Sequence, residues 1–242
     1  MEIEAAISKI DRHASSEQGN KVEVIERPNG GISIIMAEGK LNGKRSKALT
    51  MKAVHDVLSE ISDGVNDGAS VRLVLTRIRN EHNEKALVNI SVISCDLQSG
   101  TIVITKNNSI PVLVYENGES RFLPLNNNPE IDRFDPVVYQ FEFKPEQTFI
   151  LISQGLQLAG NHNENTIDLT TAVDSIYDND EEPNVQNVSD TLLKQAIAFD
   201  GGRPRDDMTV IALKVSQATN KDIRREYVCF PIKHEFISSQ ER

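Results

Sequence analysis

The hydrophobic pattern of this chain changes period four times, and these changes constrain its fold more than any other feature. Two strand-like segments precede two helical ones, and a series of strands, two further helices and a last strand follow. This order departs from strict strand–helix alternation and predicts antiparallel sheets packed face to face, with helices outside. The predicted strands are 22–27, 32–37, 86–97, 101–106, 112–115, 120–123, 147–153, 207–215 and 227–232, and the predicted helices are 46–61, 67–79, 167–177 and 188–199.

The charge balance indicates which partners this chain can bind, and the cysteine content indicates the cellular compartment in which it works. A formal net charge of −10 over 242 residues repels phosphate backbones and anionic lipid, so we expect no nucleic-acid or membrane partner. No run of about 18 apolar residues occurs, so no spanning helix is expected. Two cysteines, Cys95 and Cys229, without a C-x-x-C motif fit a cytoplasmic protein.

The segment 38–46, EGKLNGKRS, lies between a predicted buried strand and a predicted helix. A phosphate-binding P-loop has this context, but it needs one more residue between its glycines and a hydroxyl where Arg45 stands. A tight strand-to-helix turn is the simpler interpretation. Nucleotide binding over Gly39 to Lys44 stays open as a third alternative for the function.

A pair of adjacent carboxylates, Asp206 and Asp207, precedes the last predicted strand. Two carboxylates at a sheet end can hold a hard divalent cation, which prefers oxygen ligands. A solvated acidic turn is the alternative interpretation of the same residues.

Four local segments, together with the order of elements, resemble the PPM family of metal-dependent protein serine/threonine phosphatases, and most closely its bacterial SpoIIE-type branch. The resemblance extends over about 15–215 and is most specific in GGRPRDDMTVIALKV at 201–215. The segments are QGN at 18–20, AEGKLNG at 37–43, SQGL at 153–156 and DDMTV at 206–210, and 107–114 is similar to the central hairpin of the family.

The resemblance implies an α-β-β-α sandwich of two antiparallel sheets flanked by helix pairs. It also implies two Mn²⁺ or Mg²⁺ ions that activate a water for attack on a phosphoserine or phosphothreonine. We expect a single domain over 1–242, with a core at about 15–216 and a C-terminal extension at 217–242.

The metal ligands implied by the resemblance are incomplete in this chain. Glu38, the Gly39 carbonyl and Asp206 remain, whereas uncharged Asn20 and Gln154 stand at two positions where the family has aspartate. Lys40 interrupts the glycine-rich loop and is expected to place an ammonium beside the site. Metal binding is therefore expected to be weak or absent.

Two functions follow from the resemblance. The first is a divergent bacterial serine/threonine phosphatase whose hydrolysis is weakened or lost. The second is an inactive pseudophosphatase that acts as a regulatory binding module. Either would act on a phosphoprotein of a signalling pathway, by analogy a STAS-type anti-sigma-factor antagonist, and the acidic segment 178–183 is expected to face that substrate.

Overall fold

The computed structural model describes residues 1–14, 19–83, 85–123, 133–163, 165–180, 182–217 and 225–229. The strands are β1 (Glu2–Ile10), β2 (Asn20–Glu26), β3 (Gly31–Leu41), β4 (Lys44–Arg45), β5 (Ala86–Asp96), β6 (Thr101–Lys106), β7 (Val112–Glu116), β8 (Glu119–Phe122), β9 (Val137–Glu142), β10 (Gln147–Ile152) and β11 (Met208–Ser216). The helices are α1 (Lys47–Ser62), α2 (Asp67–His82), α3 (Gln154–Gln157), α4 (Leu169–Asn179) and α5 (Val185–Phe199).

The strands form two antiparallel sheets. The first has the order β1-β11-β10-β7-β8, and the second has the order β2-β3-β5-β6-β9 with the short β4 added to the end of β3. Within each sheet the neighbours pair antiparallel. The predicted α+β sandwich is therefore confirmed, and each sheet combines strands from both halves of the chain.

Three apolar layers hold the sandwich together. Side chains such as Ile34 and Ile93 of the second sheet meet Phe149 and Ile211 of the first sheet between the two sheets. On the outer face of the second sheet, α1 and α2 cover a further cluster, and α4 and α5 cover the outer face of the first sheet. Each sheet is thus buried on both faces, which explains the nearly continuous apolar runs of its central strands.

The sequence pattern did not predict strand β1. It pairs with β11 over nine residue pairs, from Glu2 opposite Ser216 to Ile10 opposite Met208. Ile7 packs toward the inter-sheet layer and Ala6 toward α5. Three charged residues interrupt the apolar pattern of this edge strand. The first sheet therefore includes a strand that precedes the region of family resemblance, which begins at about residue 15.

Two further strand predictions need correction. Strand β9 was not predicted, although its segment, VVYQFE, alternates, with Tyr139 and Phe141 directed to the inter-sheet layer. The predicted strand at 227–232 is wrong over 227–229, where the chain has no regular secondary structure, and Tyr227 is exposed. Residues 230–232, and most of the expected extension at 217–242, lie outside the described residues.

No helix in the described part of the chain is both long enough and apolar enough to cross a membrane.

Candidate active site at one end of the two sheets

The structure brings the four implied ligand positions to one end of the sandwich. Asn20 begins β2 and lies opposite Glu38 of β3, in the second sheet. Gln154 follows β10 and Asp206 precedes β11, in the first sheet. Gln18, which begins the first family-like segment, lies outside the described residues.

Two hydrogen bonds join the sheets at this end. The side-chain amide of Asn20 donates to the carbonyl of Asp207 over 3.2 Å. The backbone N–H of Gln154 donates to Oε1 of Glu38 over 3.0 Å. The residues that replace family aspartates thus take part in contacts between the sheets, and Gln154 does so through its backbone.

The turn after β10 is packed against the Asp206–Asp207 turn. The hydroxyl of Ser153 accepts from the N–H of Thr209 over 2.9 Å and donates to the carbonyl of Asp207 over 3.2 Å. A Cβ added at Gly155 would lie 2.3 Å from that carbonyl oxygen and 2.8 Å from Cβ of Asp206. Only glycine allows this approach, so Gly155 fixes the distance between the two turns.

Residues 40–45 form a hairpin rather than the expected loop. Asn42 and Gly43 both have positive φ, 51° and 76°, as a two-residue type I′ turn requires, and Lys40 lies opposite Arg45. Their backbone groups enter a strand ladder and do not form a loop around a phosphate. The structural premise of the P-loop alternative is therefore wrong.

The hairpin directs Arg45 toward the paired aspartates. Nη2 of Arg45 is hydrogen-bonded to Oδ1 of Asp206, and Nη1 lies 3.5 Å from Oδ2 of Asp207. Lys40, the expected cation, is exposed and acts electrostatically on Glu38, but the ion pairs found among the described residues do not include it. Sequence reasoning considered Arg45 only as a misfit in the P-loop pattern, since 161 residues separate it from Asp206.

Asp207 is the more deeply buried of the two aspartates, at 2% exposure. Its Oδ1 accepts from the N–H of Arg12 over 2.7 Å, and its Oδ2 accepts from the N–H of Gly19. The hydroxyl of Thr50 in α1 donates to the Gly19 carbonyl over 3.1 Å. Asp207 therefore organises the N-terminal segment at the site, a role that the sequence did not reveal.

Glu38 and Gly39 are also engaged within the protein. Burial raises the pKa of Glu38 above its ordinary value, and the Gln154 N–H and the Arg45 and Lys40 cations offset part of this rise. The Gly39 carbonyl, an implied metal ligand, accepts from the N–H of Ser46 over 2.9 Å. Gly39 itself packs closely on α1, because an added Cβ would lie 2.7 Å from the Thr50 hydroxyl.

These residues do not fit the pair of divalent cations that the resemblance implies. Two of four carboxylates are replaced by amides, and oxygens of Glu38, Gly39 and Asp206 already accept protein hydrogen bonds. Among the described residues, no three His, Cys, Asp or Glu side chains are grouped so as to hold a metal ion.

The described residues of the acidic segment 178–183 do not lie at this end of the molecule. Helix α4 continues to Asn179, and Glu182 lines a recess together with Gln147, the first residue of β10. The candidate site lies beyond the opposite end of β10. The expectation that this segment faces the substrate at the site is therefore wrong.

Comparison with known proteins identifies the family. Residues 41–216, most of the chain, match the family model described as Stage II sporulation protein E (SpoIIE). The chain belongs to the SpoIIE family. Its domain is a divergent PPM-type phosphatase domain, and the matched region includes Arg45, Gln154 and Asp206, whereas Asn20 and Glu38 precede it.

Two curated relatives carry the same family name. Stage II sporulation protein E of Priestia megaterium is 19% identical over 222 residues, which are 90% of this chain and 37% of the relative. The protein of that name from Bacillus subtilis is 21% identical over 228 residues, which are 92% of this chain and 26% of the relative. The chain thus spans about a third and about a quarter of the length of these two relatives.

Solved structures share the fold. The phosphatase domain of SpoIIE from Bacillus subtilis has a TM-score of 0.69 at 17% identity, covering 94% of this chain and 98% of that one. The RsbU and RsbW domains of a Mycobacterium tuberculosis protein have a TM-score of 0.72 at 13% identity, with coverages of 90% and 62%. The catalytic domain of the serine/threonine phosphatase PstP, in complex with two manganese ions, has a TM-score of 0.66 at 13% identity, with coverages of 89% and 99%.

Proposed function

We propose that this chain is a SpoIIE-type domain that binds a phosphorylated signalling protein and has weak or no metal-dependent phosphatase activity. The observation that carries the proposal is the state of the ligand positions. Asn20 and Gln154 bring no charge, and an oxygen of Glu38 accepts from the Gln154 backbone. The PstP catalytic domain, by contrast, is in complex with two manganese ions on the same fold.

Charge arithmetic supports weak metal binding. Two unit charges 4 Å apart attract by about 4 kcal/mol at the effective dielectric of a protein surface, and a dication doubles this value. Each aspartate replaced by an amide therefore removes an attraction of several kcal/mol from the site. A single weakly held cation at Glu38, the Gly39 carbonyl and Asp206 is the most that these residues support, and Mn²⁺ or Mg²⁺ is its expected identity.

The proposed partner is a protein that carries phosphoserine or phosphothreonine. Two observations support it: the chain belongs to the SpoIIE family, and it shares its fold with the RsbU and RsbW domains. A STAS-type anti-sigma-factor antagonist is the specific candidate, by family analogy. A cytoplasmic location and a single functional domain over 1–242 are parts of the same proposal.

A divergent phosphatase that retains slow turnover is the second candidate function. The observation that favours it is the convergence of Glu38 and Asp206 at one end of the sandwich, since both are acidic positions that the family uses. It differs from a binding module in one measurable respect, which is release of inorganic phosphate that depends on added Mn²⁺.

Calorimetric titration with a synthetic phosphoserine peptide, and with the same peptide unphosphorylated, tests the proposal. We expect the phosphorylated form to bind at least about tenfold more tightly, a difference of roughly 1.4 kcal/mol, in the presence of chelator. Hydrolysis of p-nitrophenyl phosphate with added Mn²⁺ should stay near the rate without protein. Equal affinities for the two peptides would contradict the binding function, and Mn²⁺-dependent turnover of about 1 s⁻¹ would identify an ordinary phosphatase.

A further inference from the structure

The guanidinium of Arg45 occupies the space between the two sheets at the candidate site. It comes from the β3–β4 hairpin of the second sheet, whereas Asp206 and Asp207 lie in the turn before β11 of the first sheet. Its side chain is 23% exposed, so the ion pairs are partly shielded from water. We infer that Arg45 is the resident cation of this site and takes the electrostatic role that a divalent ion has in metal-dependent relatives.

The chemistry of the guanidinium suits this role. It stays charged at all accessible pH values and presents several N–H donors in a rigid plane. Nη2 is hydrogen-bonded to Asp206, and Nη1 faces Asp207 at ion-pair distance. Asp207 is buried and therefore needs a compensating charge as well as hydrogen bonds, and Arg45 supplies that charge. Glu38 also lies within the electrostatic reach of Arg45.

The same contacts make Arg45 and a metal ion compete. Oδ1 of Asp206 accepts both from Arg45 and from the N–H of Asp207, over 2.6 Å in the latter case. A divalent ion bound to this oxygen would have to displace the guanidinium or lie beside a like charge. The substitution of two aspartates by amides and the presence of Arg45 thus both lower the affinity of the site for a divalent cation.

The Arg45 contacts also fix the local structure without a metal. Ser46, the next residue, caps α1 by accepting from the N–H of Leu49 over 3.3 Å. Arg45 therefore ties the start of α1 and the β3–β4 hairpin to the turn before β11. This end of the sandwich should keep its stability in the presence of a chelator.

The test uses the full chain and three variants. Arg45→Met removes the charge and keeps the apolar stem, and Arg45→Lys keeps the charge. Arg121→Met is the matched control, because Arg121 forms an ion pair of 3.0 Å with Glu116 on the β7–β8 hairpin, at the opposite end of β7 from the site. Mn²⁺ affinity is measured by calorimetry, and the melting temperature is measured with Mn²⁺ and with EDTA.

We expect wild type, Arg45→Lys and Arg121→Met to bind Mn²⁺ weakly and to melt at the same temperature in Mn²⁺ and in EDTA. Arg45→Met should bind Mn²⁺ at least about tenfold more tightly than wild type and should melt higher in Mn²⁺ than in EDTA. An Arg45→Met variant that folds without this gain would overturn the inference. So would a wild type that Mn²⁺ stabilises strongly, a result that needs no variant. The inference rests on the proposed function, but neither readout involves a peptide, so the two can fail separately.

Discussion

At the scale of single residues, Lys106 is the most unusual side chain in the interior. It is 2% exposed, and it lies on the same face of β6 as Ile102 and Ile104, which belong to the layer between the sheets. Burial lowers the pKa of its ammonium from 10.5 to about 8. Among the described residues, no carboxylate forms an ion pair with this lysine. Folding therefore has to remove a poorly compensated ammonium from water.

Replacement of Lys106 by methionine should stabilise the protein at neutral pH. Because the pKa of the lysine is lower in the folded than in the unfolded chain, its destabilising effect is complete below pH about 8 and disappears above pH about 10.5. We expect Lys106→Met to raise the free energy of unfolding by about 3 kcal/mol at pH 7, and by much less near pH 10. Urea unfolding at both pH values measures this, with exposed Lys9→Met as the control. A gain that did not depend on pH would contradict the role of the charge.

At the scale of elements, two hairpins close with the same Asn-Gly turn, but only one of them lies at the candidate site. Asn42–Gly43 closes the β3–β4 hairpin that carries Arg45, and Asn117–Gly118 closes the β7–β8 hairpin away from the site. All four residues have positive φ, and neither glycine would place an added Cβ within 4 Å of another atom. A side chain at either glycine therefore costs backbone strain alone.

Gly43→Val and Gly118→Val should consequently cost similar stability and differ in function. Each should lower the free energy of unfolding by about 1–2 kcal/mol, because a β-branched residue disfavours the left-handed region. Only Gly43→Val should also weaken binding of the phosphoserine peptide, since it moves Arg45 relative to Asp206. Urea unfolding and peptide calorimetry on both variants provide the comparison. Equal losses of peptide affinity would show that the β3–β4 hairpin has no special role.

At the scale of the whole molecule, the sandwich could be predicted because its helices and central strands have clear periods. The helical spacing of Val54 and Val57 predicted both ends of α1 to within one residue. The predicted bounds of β6 are the same as those in the structure. The strand β1 was missed because charged residues interrupt its apolar period. The alternation that marks β9 is present in the sequence and was not recognised.

The candidate site could be predicted only in part. The resemblance identified the positions that converge, and Lys40 does act electrostatically on Glu38, but the prediction missed Arg45 as the cation that pairs with Asp206. The hairpin turn at Asn42–Gly43 was the signal that could have placed Arg45 opposite Lys40. Its meeting with Asp206 depends on the packing of two sheets, which no local pattern contains.

The central claim is that two missing carboxylates and one added cation, rather than the fold, limit metal-dependent chemistry in this domain. The measurement that tests it most directly is turnover of a phosphoserine peptide at saturating Mn²⁺. It compares wild type with the triple variant Asn20→Asp, Glu38→Asp, Gln154→Asp, and with the triple variant that also carries Arg45→Met. We predict that restoring the carboxylates raises turnover by at least about a hundredfold, roughly 2.7 kcal/mol of transition-state stabilisation, and most fully when Arg45 is also replaced. A wild type that already turns over the peptide as fast as these variants would contradict the account.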